Sequence, residues 1–108
     1  MCQFQNLYYS GNEFVMRCKQ CGNYQIGFTT IILCVSRFDF YAMKQMVYNR
    51  LEEEEDCMDD LVKSMVLPTP YLGINLLLSK HELERLSYML EQSDIEEKTQ
   101  SLISMFNQ

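Results

Sequence analysis

Cys18-Lys19-Gln20-Cys21-Gly22 is the one stretch whose residue types and spacing point to chemistry. Two thiolates three positions apart can both reach one ion about 2.3 Å away if the backbone between them turns sharply. A glycine just after the second cysteine tolerates the left-handed conformation that such a turn often needs. This is the pattern of half a zinc knuckle. Zinc takes four ligands, and the chain holds no second Cys-x-x-Cys pair. Cys2, Cys34, Cys57 and His81 are the remaining candidates. Cys2 is preferred, because a hairpin folded about Ser10-Gly11-Asn12 sets residues 2–4 opposite 18–20. The expected metal ligands are therefore Cys18, Cys21 and Cys2, the expected cofactor is zinc, and the expected role is structural. Alternatively, two chains could each give Cys18 and Cys21 to one ion across a two-fold axis.

A redox role for the pair is the second reading. It is weakened because Gly22-Asn23 and a strand follow, whereas a reactive pair usually caps a helix whose positive end lowers the thiol pKa. His81, the only histidine, reads as a solvated residue at a helix start, and Cys34 as a buried apolar thiol. The eight methionines read as core filler. Tyr8 and Tyr9 near Arg17 and Lys19 could be drawn as a platform for single-stranded nucleic acid, the third reading. The formal charge of −6 and the ordinary strand propensity of tyrosine oppose it. No phosphate loop, nucleophile elbow or metalloprotease helix is present.

The elements that must position these residues follow from periodicity. Phe4–Tyr9 and Glu13–Cys18 read as hairpin strands, and Tyr24–Phe28 as a third strand. Residues 30–40 and 73–83 then repeat one pattern 43 positions apart: an apolar strand, a serine, a base, and an acid three residues after the serine. Ser36 and Ser79 are expected helix caps, with Glu82 completing a capping box and Asp39 a weaker version of it. Ile31, Leu33 and Val35 share a strand face, as do Leu72, Ile74, Leu76 and Leu78. Phe40, Met43, Met46 and Val47 form one helical stripe; Leu83, Leu86, Met89 and Leu90 form another. Ser93 is expected to cap a third helix whose inner face carries Ile95, Leu102, Ile103 and Phe106. Leu67–Tyr71, held by Pro68 and Pro70, is an extended entry to the later strand. The expected fold is α+β: a mostly antiparallel sheet, built from the N-terminal hairpin and two strand–helix units, with helices on one face.

At 108 residues and 47% apolar, the chain is expected to form a single domain spanning 1–108. Its charge is uneven. Residues 1–51 carry +3, residues 52–60 carry −7, and the remainder carries −2. The acidic stretch reads as a solvated linker. No apolar run approaches the ~18 residues of a membrane span, and no leader opens the chain, so no membrane role is expected. An odd count of five cysteines without an export route points to the cytoplasm.

Cys18-x-x-Cys21-Gly22, then Gln25-x-x-Phe28-x-Thr30, resembles a group of short bacterial proteins of unknown function. So do Pro68-Thr69-Pro70 and Ser79-x-x-Glu82-Leu83-x-x-Leu86, and the likeness covers most of residues 2–92. The resemblance implies one compact α+β domain and carries over no activity. With no nucleophile–base pair in view, the expected function is a non-catalytic, zinc-stabilised domain that binds a protein partner or forms a homodimer.

Overall fold

The computed structural model describes residues 3–53 and 61–107. Four antiparallel strands run in chain order: β1 (Phe4–Ser10), β2 (Glu13–Cys18), β3 (Tyr24–Phe28) and β4 (Ile31–Val35). Helix α1 (Arg37–Glu52) follows, then a two-stranded antiparallel sheet of β5 (Met65–Pro68) and β6 (Asn75–Leu78), then α2 (Lys80–Phe106). Among the described residues no helix is long and apolar enough to cross a membrane.

The alternation of side chains along each strand decides where the core lies. Val15, Ile26 and Leu33 are register partners across β2, β3 and β4, and all three are buried on the helix-facing side. Tyr24, Phe28 and Val35 fill the same layer. Leu7 is an extra residue at a bulge between Asn6 and Tyr8, which lets it bury although its neighbours are exposed or half-buried. Phe40, Met43 and Val47 of α1 close over this layer, with Met46 packed at its margin, as do Leu83, Leu86, Met89 and Leu90 of α2. The predicted stripes of both helices are therefore the buried ones. The core continues through Met65, Leu67, Leu76 and Leu78, so all eight elements share it.

Two of the three predicted caps are present, those at Ser36 and Ser79. The Ser36 hydroxyl oxygen accepts from the Asp39 amide at 3.1 Å. Ser79 accepts from the Glu82 amide at 3.2 Å while a Glu82 oxygen accepts from the Ser79 amide at 2.9 Å, a full capping box. The α+β class holds, with three corrections to its details. The strand of the second unit does not join the main sheet. It pairs instead with Met65–Pro68, in the register Met65↔Leu78 to Pro68↔Asn75, because Pro68 lies at the strand's end where a lost donor costs little. Leu72 and Ile74 belong to the connecting turn, and Leu72 is 103% exposed. The Thr69 hydroxyl donates to the Ile74 carbonyl at 2.6 Å and shapes that turn.

Ser93 does not start a third helix. Its hydroxyl donates to the Met89 carbonyl at 2.6 Å from inside α2, which runs unbroken because neither glycine nor proline interrupts it. The face predicted to point inward is instead exposed at Ile95, Leu102, Ile103 and Phe106. Cys34 is exposed rather than buried, since it alternates with the inward Leu33 and Val35. Of the acidic stretch, Glu52 ends α1 and Glu53 is its C-cap, while 54–60 lie outside the described residues.

Candidate functional site

The β2–β3 connection brings Cys18 and Cys21 into one tight turn. The Cys18 amide donates to the Asn23 carbonyl at 2.8 Å, and the Gly22 amide donates back to the Cys18 carbonyl at 2.9 Å. Closing the chain this sharply places residue 22 at a φ of 80°, where a side chain would be strained. Within the turn the Cys21 amide points at Cys18 Sγ, 3.4 Å away. Cys18 Sγ in turn donates to Gln20 Oε1 at 3.7 Å. Cys18 is 2% exposed, and Cys21 is exposed.

The first strand meets this turn. Phe4 is the register partner of Cys18, and the Lys19 amide donates to the Gln3 carbonyl at 2.8 Å. The Gln3 amide in turn donates to Gln20 Oε1 at 2.6 Å. Residues 3 and 4 thus lie opposite 18 and 19, as the hairpin register predicted. Cys2 and Cys57 lie outside the described residues. Cys34 and His81 are exposed and sit on β4 and at the start of α2. Among the described residues no three His, Cys, Asp or Glu side chains gather where they could hold an ion.

Two buried carboxylates, one helical turn apart on α2, were not legible in the sequence. Tyr24 donates its hydroxyl to Glu97 Oε1 at 2.7 Å, and Arg17 Nε lies 3.1 Å from Glu97 Oε2. Arg37 Nη1 approaches the same oxygen at 3.5 Å. Asp94 accepts from the Tyr41 hydroxyl at 2.9 Å, from Lys44 at 2.8 Å and from Lys98 at 3.1 Å. Burial would raise the Asp94 pKa, but these three donors outweigh it and hold the carboxyl below its ordinary value. The hydrogen bond to Asp94 likewise raises Lys44. Burial, then the bond to Glu97, pushes Tyr24 well above the usual phenol value. Tyr41 is raised for the matching reasons, burial first and Asp94 second. The signal available was weak: an acid at positions 94 and 97 inside an otherwise apolar helical period.

The turn and this network touch. Arg17 Nη2 lies 3.6 Å from where a side chain at position 22 would begin, so the guanidinium lies against Gly22. A cleft of about 600 Å³ lies between the hairpin loops and the start of α2. Tyr8 and Tyr88 meet edge to face there at 6.3 Å, beside the Arg85–Glu13 ion pair and His81.

No curated protein and no solved structure matches the chain. Residues 1–107 match the family of unknown function DUF6686, and the chain belongs to it.

Proposed function

We propose that this protein is a non-catalytic association module, with the tip of its sheet held by a zinc ion at Cys18, Cys21 and Cys2, and that its partner is a second copy of itself. The observation that carries association is the end of α2. Residues 101–107 are exposed throughout, although Leu102, Ile103, Met105 and Phe106 are apolar. Contiguous exposed apolar surface of this kind is costly in water and is a mark of interaction sites. The exposed side chains also keep a spacing: Ile95 to Leu102 is seven positions, as is Thr99 to Phe106. Seven-residue spacing is that at which a helix packs along another like itself.

The metal part rests on the turn geometry and on the Cys21 amide directed at Cys18 Sγ. The non-catalytic reading is supported by Asp94 and Glu97, whose charges are met by Lys44, Lys98, Arg17 and Arg37 within the fold.

Two measurements test the reading. Protein purified without chelator is expected to carry about one zinc per chain, and Cys21→Ser to lose it, with a large drop in stability. Zinc below about 0.2 per chain overturns the staple, and a Cys18–Cys21 disulfide in its place favours the redox reading instead. Cys2→Ser is expected to lower metal content; unchanged content removes Cys2 from the ligand set. Sedimentation of the wild type is expected to show a dimer, and Leu102→Glu/Phe106→Glu a folded monomer. A monomeric wild type at all concentrations overturns self-association.

A further inference from the structure

The strongly acidic chain gathers cations in one place, and we propose that this place is a binding site for a phosphate-bearing small molecule. A groove of about 650 Å³ opens between β1, β2 and the second half of α2. Arg17, Lys19, Arg37 and Lys98 line it, and Glu97 is the only carboxylate among its lining residues. Asp94 lies just behind, touching Lys98 at 3.1 Å. The lining therefore holds a surplus of positive charge in a protein whose formal charge is −6. Low-dielectric walls focus such a surplus and raise the local concentration of anions.

The cations are positioned but not saturated. Arg17 Nε is buried and within 3.1 Å of Glu97 Oε2, yet it makes no aligned hydrogen bond. Arg37 reaches the same oxygen only at 3.5 Å, and its guanidinium is held 5.6 Å over the Tyr41 ring. Lys19 forms no ion pair with any carboxylate among the described residues. Glu97 sits low in the groove, where Tyr24 occupies its other oxygen. It thus holds the two arginine heads together without matching their donor count. Guanidinium forks supply paired donors, and lysines supply point charges. Ser101 and Ser104, with the amides of Gln5 and Gln100, add neutral groups around the rim. Donors arriving from β2, from α1 and from α2 suit a tetrahedral anion with several oxygens better than a planar carboxylate. The groove exceeds a single phosphate and falls in the range of small-molecule sites.

Arg17, Arg37 and Lys98 come from strand and helix, whereas Lys19 belongs to the cysteine turn and Arg17 lies against Gly22, so the groove borders that turn.

Titration with inorganic pyrophosphate at low salt, followed by amide shifts and by calorimetry, tests the proposal. Saturable shifts are expected at Lys19, Gly22 and Lys98. Arg37→Ala/Lys98→Ala, both at exposed positions, is expected to weaken binding by about tenfold or more with the thermal midpoint little changed. Arg50→Ala/Lys63→Ala removes equal charge elsewhere and is expected to keep the affinity. An absence of saturable shifts, or equal losses in the two double variants, overturns the site. Malonate binding as tightly as pyrophosphate overturns the assignment to phosphate.

Discussion

Thr29 sits at the first position of the two-residue turn between β3 and β4 with a φ of 54°. That conformation suits glycine and strains a β-branched residue. Thr29→Gly is therefore expected to stabilise the fold by about 0.5–1 kcal/mol in urea unfolding, the relieved strain exceeding the added chain entropy. Gly27 is the opposite case. A Cβ there would meet the Phe14 ring at 2.2 Å across the strand pair, so Gly27→Ala is expected to cost about 2–3 kcal/mol. The cysteine turn was legible at this scale because Cys-x-x-Cys-Gly carries its own geometry in five consecutive residues. The carboxylates were not, because what buries them lies far along the chain. Tyr24 is 73 positions from Glu97, and Tyr41 is 53 from Asp94. Cys34 was misplaced for a smaller reason: one step along a strand moves a side chain to the other face.

The caps are the clearest link from sequence to structure among the elements. Ser79→Ala is expected to cost about 1 kcal/mol, since it leaves the Glu82 amide without its acceptor. Glu82 serves twice, accepting from the Ser79 amide and pairing with Lys63 at 2.5 Å. Its pKa is lowered because the bonds from Lys63 and Ser79 outweigh burial. The apolar stripe of the first half of α2 was read correctly, and the same reasoning failed for the second half. A 3.6-residue period shows that a helix has an apolar side, but not that anything lies over it. In α2 the body ends before the helix does, and Ile95, Leu102 and Phe106 are left facing outward. The separate β5–β6 sheet was likewise hidden, because Pro68 reads as a strand breaker until its position at the strand's end is known.

Charge governs the behaviour of the molecule as a whole. Asp94 has a lowered pKa in the fold, so its contribution is present above the unfolded value of about 3.9 and is lost as pH falls through the folded one. Lys44, Tyr24 and Tyr41 are raised, so theirs is present below about 10 and is lost as pH climbs through their folded values. The thermal midpoint is expected to stay level between about pH 5 and 9 and to fall on both sides. Asp94→Asn is expected to flatten the acid limb and to cost about 3 kcal/mol at neutral pH, because Lys44 and Lys98 lose the charge they share. A level acid limb in the wild type would refute this account. The long closing helix has one further effect. Gln100 binds Gln5 at 2.5 Å and the Asn6 carbonyl at 3.3 Å, so the last element secures the first. During synthesis, Arg17, Arg37 and Lys44 emerge long before the acids that neutralise them, and the early strands emerge before their cover. A nascent chain stalled short of residue 94 thus holds Arg17 and Arg37 without Glu97 and Lys44 without Asp94, on a half-covered sheet.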